Sequence, residues 1–274
     1  MEYQGDIGLY LSGCQVPIKM CGMYITQPKV RDIVQFGESD FFAIAHILSD
    51  IPEFVKEVKE GNSVLKEKPD FQIFIGVLGN DKNSQVRRMF DNFMELCFSD
   101  FRVDVTKKSI NFKVDVDGGS VGQVNPFNFR EFSRTIKELF MPKDQEEDVE
   151  YNIDPNNRRA VEMLKKIEAN RRKRKEAQNK ESDNTSIFAH YTSILSIGMN
   201  MDINVFYNYT PFQLYNAFDR YLAKFQYDIY QKTMMTPFVD TSKIEEVESW
   251  LVDIYRPKKE VYNNMADMAK LSRT

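Results

Sequence analysis

The segment TPFQLYNAFDRYLAKFQYDIYQ, from Thr210 to Gln231, is the clearest amphipathic helix in the sequence, and the rest of the chain is interpreted around it. Its apolar residues recur at steps of three or four, which places them on one face of a helix with about 3.6 residues per turn. This apolar ridge consists of Phe212, Tyr215, Phe218, Leu222, Phe225 and Ile229. Thr210 is predicted to cap the helix, with Pro211 at its first position. Such a ridge must be buried in the protein's own core or against a partner.

The composition is that of a folded protein. The 274 residues are 28% charged and 13% aromatic, and the formal net charge is −4, which does not favour a general polyanion binder. The sequence has no apolar run of about 18 residues and no signal-peptide pattern, so we expect a cytoplasmic protein without membrane association. Cys14, Cys21 and Cys97 lack the spacing of a metal site, which favours reduced, structural thiols.

An α+β, mainly helical fold is predicted, with residues 1–142 as its N-terminal domain. Two apolar runs, Ile7–Leu11 and Val16–Ile25, are expected to form a small edge hairpin. Helical stripes follow, and Gly37 is expected to separate two of them. Further helix starts are predicted at Pro52, Pro69 and Ser84.

Alternating residues after this helical region predict a small antiparallel meander. Its strands are expected at Phe101–Thr106, Ile110–Val116 and Val121–Val124. Asn125 and Pro126 then predict the start of a helix that closes the domain.

None of the patterns that resemble chemical sites is complete. His46 lacks a nearby Ser, Cys or second His, so a catalytic base is disfavoured. Asp115 and Asp117 could suggest a calcium loop, but the twelfth position of such a loop would be Pro126 instead of a glutamate. Residues 76–84 lack the lysine spacing of a phosphate-binding loop. We therefore predict no catalytic, cofactor-binding or metal-binding residues, and a non-enzymatic protein.

The second half of the chain is predicted to be helical beyond a charged segment. Residues 143–184 are interpreted as an acidic loop followed by a basic helix or linker. A helical C-terminal bundle is expected at 185–255, with helices at Ser186–Met199 and around Trp250, and a loosely held tail at 256–274. The basic segment would supply the contacts to any nucleic acid, through Arg171, Arg172, Lys173, Arg174 and Lys175. A solvated helix face is the favoured interpretation, because no aromatic residues or glycines are interleaved with these charges.

Three stretches near both ends of the chain carry a resemblance to a known family. They are MYITQPKVRDIVQFGESDFF (Met23–Phe42), the basic run after Asp154-Pro155, and FQLYNAFDRYLAKFQYDIYQK (Phe212–Lys232) followed by the segment around Trp250. Together they resemble tail assembly chaperones, which long-tailed bacteriophages encode before the tape measure protein. The resemblance implies a phage protein of the host cell cytoplasm, one that shields apolar faces of the helical tape measure protein, or binds another tail protein, during tail assembly.

Four aromatic residues are the candidates for contact with such a partner: Tyr215, Tyr221, Phe225 and Trp250. Phe218, at the middle of the ridge, is expected to be buried. Tyr221 lies about 60° from the ridge on a helical wheel, which leaves its hydroxyl able to reach water. Two other functions stay open: a structural component that remains in the virion, and a nucleic-acid-binding phage protein that uses the basic helix. A homo-oligomer is also compatible with the sequence.

Overall fold

The computed structural model describes residues 6–60, 65–80, 84–114, 120–141, 150–151, 186–237, 244, 247, 249–251 and 261–262. It shows a mainly helical protein with small antiparallel sheets, which confirms the predicted α+β class.

The N-terminal apolar run forms a helix, so the predicted first strand is wrong. Helix α1 spans Ile7–Ser12. The carboxylate of Asp6 accepts a hydrogen bond from the Leu9 N–H at 3.1 Å and caps the helix. Gly13 ends it in the left-handed conformation, at φ 71°. These two end signals outweigh the partial alternation that favoured a strand.

A hairpin is present, but both of its strands come from the second apolar run. Strands β1 (Val16–Ile18) and β2 (Met23–Ile25) pair antiparallel. A short 3-10 turn, Lys19–Cys21, joins them, and Gly22 in the left-handed conformation ends that turn.

Five helices follow in the order expected from their start signals. They are α2 (Val30–Phe36), α3 (Glu38–Ser49), α4 (Ile51–Glu60), α5 (Asp70–Asn80) and α6 (Gln85–Cys97). Gly37 separates α2 from α3 at a φ of 107°, a value that favours glycine. The Ser84 hydroxyl accepts from the Arg87 N–H at 3.2 Å, as predicted for the cap of α6.

The meander and the helix after it are confirmed, with shifted boundaries. The sheet order is β3 (Arg102–Val105), β4 (Ile110–Lys113), β5 (Ser120–Val124), all antiparallel. Helix α7 spans Phe129–Phe140. It begins later than predicted because the segment from Asn125 to Asn128 forms a hydrogen-bonded turn before the helix.

The remaining described elements are three helices and a pair of very short strands. The helices are α8 (Ile187–Met199), α9 (Ile203–Tyr207) and α10 (Pro211–Met234). Strands β6 (Glu150–Tyr151) and β7 (Val261–Tyr262) pair in parallel. They come from the predicted acidic loop and the predicted tail, which were not expected to contain strands.

The described residues of 3–142 and 190–250 form one compact unit, which differs from the predicted separation at residue 142. Its core is aromatic: the rings of Phe41, Phe93 and Phe140 lie 5.3 to 5.8 Å apart. Helix α10 packs on α1 and α7, and the Val30 N–H donates to the Tyr209 carbonyl at 2.8 Å. The helices after residue 190 therefore complete the core of the N-terminal region. The described residues 150–151, 186–189, 251 and 261–262 belong to a second unit.

Candidate partner-binding surface

The start of α10 is fixed by a reciprocal cap. The Thr210 hydroxyl accepts from the Gln213 N–H at 3.3 Å, and the Gln213 side-chain oxygen accepts from the Thr210 N–H at 2.9 Å. The amide nitrogen of Gln213 also donates to the Leu11 carbonyl at 2.7 Å. This confirms Thr210 as the cap and joins the helix start to the end of α1.

The first turns of α10 are buried. Phe212 is 3% exposed and packs edge-on against Tyr10, with 5.2 Å between ring centroids. Tyr215 is also buried, and its ring lies 5.4 Å from that of Tyr191. Burial raises the pKa of the Tyr215 hydroxyl well above its ordinary value, and Tyr191 and Glu38 add to the effect. Tyr215 was a predicted partner contact, and its burial makes it a core residue instead.

The middle of the helix is partly covered by α8. Phe218, which was predicted to be buried, is only half-buried, and its ring meets Tyr191 edge-on at 4.5 Å. Tyr221 is also partly buried, because its ring lies directly on Gly198 of α8. A Cβ atom added at Gly198 would overlap the Tyr221 ring and hydroxyl. Tyr221 also stacks on Phe225, with 6.2 Å between centroids.

The second half of α10 carries the apolar ridge to solvent. After Tyr215, no residue of the described helix is fully buried. Phe225 is 50% exposed and Ile229 49%. The predicted apolar ridge therefore continues along α10 to Ile229, but the core covers only its first half.

The end of α8, which meets α10 at Gly198, also exposes apolar residues. Ile197 is 84% exposed and precedes Gly198, on which Tyr221 rests. Met199 is half-exposed. We call the set Ile197, Met199, Tyr221, Phe225 and Ile229 the α8–α10 surface.

Sequence reasoning missed Ile197 because the apolar residues of α8 do not by themselves show which side of the helix is buried. The buried side of the helix includes Thr192 and Leu195, which are three residues apart. Ile197 lies two residues beyond Leu195, about 200° around the helix, so it faces away from the buried side.

Trp250 lies near α10 without the predicted last helix. The described residues 244, 247 and 249–251 adopt turn, bend and irregular conformations, so helix at these positions is wrong. The Trp250 carbonyl accepts a hydrogen bond from the Arg220 guanidinium at 3.0 Å. The Trp250 side chain is partly buried, which leaves some of it accessible to a partner.

The other sequence candidates give no second site. Arg171, Arg172, Lys173, Arg174 and Lys175 lie outside the described residues, as do Asp115 and Asp117. Within the described ranges there is no cluster of metal-binding side chains, and no helix there is long and apolar enough to cross a membrane.

Two of the three cysteines are buried, as expected of structural thiols, and Cys14 is not. Cys21 and Cys97 are buried and Cys14 is exposed, and all three are free thiols. Burial raises the pKa of the Cys21 thiol to about 12, with a further contribution from Glu131. Burial also raises the pKa of Cys97.

The α8–α10 surface presents aromatic, aliphatic and thioether groups, which are suited to apolar contact with a partner. Lys224 and Asp228, both exposed, alternate with its apolar residues along α10.

No family model, curated protein or solved structure matches this chain.

Proposed function

We propose that the protein is a non-enzymatic assembly factor that binds an apolar face of a helical partner through the α8–α10 surface. The observation that carries the proposal is the exposure of Phe225 and Ile229, one turn apart on the outer half of α10. Helices recognise grooves and other helices by residues at this spacing. Aromatic residues and methionines are the groups that such interfaces use most effectively.

The partner in this proposal is a phage tape measure protein, whose long helices carry apolar faces before they are packed into a tail. The choice of partner rests on the resemblance of Met23–Phe42 and Phe212–Lys232 to tail assembly chaperones. Half-buried aromatic residues support a chaperone role because they offer apolar area while their own helix stays packed. Phe225, stacked on Tyr221, is held in this way.

Co-expression with a tape measure protein from the same genome tests the proposal. The wild-type chain should raise the soluble fraction of the tape measure protein, and the double variant Phe225→Ser, Ile229→Ser should lose that effect. Both positions are half-exposed, so the variant should fold. Val34→Ser is the matched control, because Val34 is 42% exposed on another helix. If Val34→Ser lowered the soluble fraction of the tape measure protein as much as the double variant does, the proposal would be contradicted.

Mass spectrometry of purified virions separates an assembly factor from a structural component. An assembly factor should be absent from the finished particle. If the protein is present in stoichiometric amounts, the structural alternative replaces the proposal.

A further inference from the structure

The outer half of α10 is exposed on one side only. Between residues 222 and 233, every fully exposed residue lies within about 100° of Phe225 on a helical wheel. The residues on the opposite side are half-buried: Ala223, Tyr227, Tyr230 and Gln231. A partner can therefore approach this part of the helix from one direction.

The length of this exposed side is limited by α8. That helix covers the apolar ridge at Phe218, whose ring meets Tyr191 at 4.5 Å between centroids, and at Tyr221, whose ring lies on Gly198. Beyond Tyr221, α10 continues to Met234 for about 20 Å, or roughly four turns. One short amphipathic helix can lie along a face of this length.

The charged residues of the exposed side all lie on one flank of Phe225 and Ile229. Lys224, Asp228 and Lys232 follow one another at steps of four, at about 100°, 60° and 20° from Phe225 in the same direction. The other flank is uncharged and consists of Leu222, Gln226 and Thr233. We call the two apolar and three charged residues the outer face of α10.

The three charges of the outer face are available to a partner. All three side chains are exposed, and no ion pair joins any of them to another residue in the described part of the chain. Two lysines and one aspartate leave a net positive flank, and the lysines are about 12 Å apart along the helix axis. Charges at the rim of an apolar contact select partners by their sign, because like charges repel and opposite charges pair.

We propose that the outer face of α10 selects an amphipathic helix whose apolar stripe is bordered on one side by carboxylates. Phe225 and Ile229 contact the stripe, while Lys224 and Lys232 face two carboxylates about two turns apart on the bound helix. The inference rests on the function proposed above and adds which face of a tape measure helix is bound. Since only one flank is charged, the carboxylates also determine on which side of its stripe the bound helix meets α10.

A second copy and a membrane match the outer face less well. In a two-fold pair of copies, each flank meets its own equivalent, which sets two positive flanks against each other. Anionic membranes are bound by clusters of about four to eight cations, and this face has two lysines beside an aspartate. The charges therefore favour an acidic helix over both.

Two synthetic helical peptides test the charge preference. Both carry the same leucine stripe in a background of alanine and glutamine, and they differ only at two flank positions two turns apart, which are glutamate in one peptide and lysine in the other. Fluorescence anisotropy of the labelled peptides with the full chain should show roughly tenfold tighter binding of the glutamate peptide at low salt. The difference should shrink at high salt, because exposed charges are screened.

Reversing the charged flank should reverse the preference. The double variant Lys224→Glu, Lys232→Glu should bind the lysine peptide more tightly than the glutamate peptide. Both positions are exposed, so circular dichroism should show an unchanged fold. The control Lys56→Glu, Arg88→Glu makes the same change of net charge at exposed positions on α4 and α6, and it should keep the wild-type preference.

The variant Phe225→Ser, Ile229→Ser separates this inference from the proposed function, and it should bind neither peptide. If the wild type solubilises the tape measure protein through Phe225 and Ile229 but binds both peptides equally, or neither, the acidic helix is wrong and the proposed function stands. If co-expression has no effect while the glutamate peptide is still preferred, the proposed function is wrong and the outer face takes an acidic helix of another protein.

Two further results would overturn the inference. Self-association that Phe225→Ser, Ile229→Ser abolishes and the glutamate peptide does not compete with would assign the outer face to a second copy. Binding to phosphatidylglycerol vesicles that is tighter than binding to either peptide would assign it to a membrane.

Discussion

The packing of α8 on α10 is most sensitive to substitution at Gly198, where one added carbon atom would meet the Tyr221 ring. Any side chain there would overlap the Tyr221 ring, so that ring would have to shift from its stack on Phe225. We expect Gly198→Ala to lower the free energy of unfolding by about 1–3 kcal/mol, the usual cost of overpacking. Urea denaturation followed by circular dichroism would measure it.

Gly76 in α5 provides the matched control for this substitution. A Cβ atom there meets nothing within 4 Å, so Gly76→Ala should stabilise the protein by roughly 0.5–1 kcal/mol through helix propensity alone. If both substitutions shift stability in the same direction, Tyr221 does not pack on Gly198 as described.

Cys21 should make the protein more sensitive to alkali. Its thiol has a pKa of about 12 in the folded chain against 9.0 as the ordinary value, so the unfolded chain releases this proton first as the pH rises. The stabilisation that this buried, protonated thiol contributes is fully present below pH 9, and it declines above pH 9 by at most about 1.4 kcal/mol per pH unit. We expect stability measured from pH 8 to 10.5 to fall more steeply for the wild type than for Cys21→Ser.

Cys14→Ser is the control for the alkaline series, because Cys14 is exposed. It should follow the wild-type slope. Parallel slopes for all three proteins would show that the Cys21 thiol titrates alike in the folded and unfolded chains.

At the scale of the single element, α10 is one helix with two environments. Phe212→Ala, in the buried first turn, should cost about 3–5 kcal/mol, the range for a core phenylalanine. Phe225→Ala, at a half-exposed position, should cost less than about 1.5 kcal/mol because it leaves no closed cavity. Denaturation of the two variants in parallel measures the difference, and equal costs would mean that the outer half is as buried as the inner half.

Local signals allowed the elements themselves to be predicted from sequence. Thr210, Ser84 and Gly37 mark helix ends by hydrogen bonding or by backbone conformation, and these effects act within a few residues. The same physics would have shown that α1 is a helix, had Asp6 and Gly13 been interpreted together as its two ends.

Burial along α10 could not be predicted in the same way. The periodicity of Phe212 to Ile229 is uniform, but the covering residues Tyr10 and Tyr191 come from distant parts of the chain. Where the core stops therefore depends on tertiary packing that no local pattern encodes. This is why Tyr215 was predicted to be accessible and Phe218 to be fully buried.

At the scale of the whole molecule, the protein should tolerate a chain break between residues 143 and 185. The described parts on either side are joined by contacts such as Val30 with Tyr209 and Gln213 with Leu11. After cleavage at a specific protease site inserted near residue 183, we expect the two pieces to elute together on native size-exclusion chromatography and to separate in urea.

Removing the joining contacts gives the comparison for that experiment. The double variant Tyr10→Ala, Gln213→Ala lacks an aromatic contact and a hydrogen bond between α1 and α10, so its cleaved pieces should separate at lower urea. Separation of the cleaved wild-type pieces in native buffer would instead support the two independent domains predicted from sequence.

The hydrogen bond from Gln213 to Leu11 also sets an order of events during synthesis. The two residues are 202 positions apart, so at roughly 5–20 residues per second Leu11 is made about 10 to 40 s before its partner. For that interval Tyr10 and its neighbours leave the ribosome without the helix that covers them. A nascent chain of this protein thus displays to the cell an apolar face that the finished molecule hides.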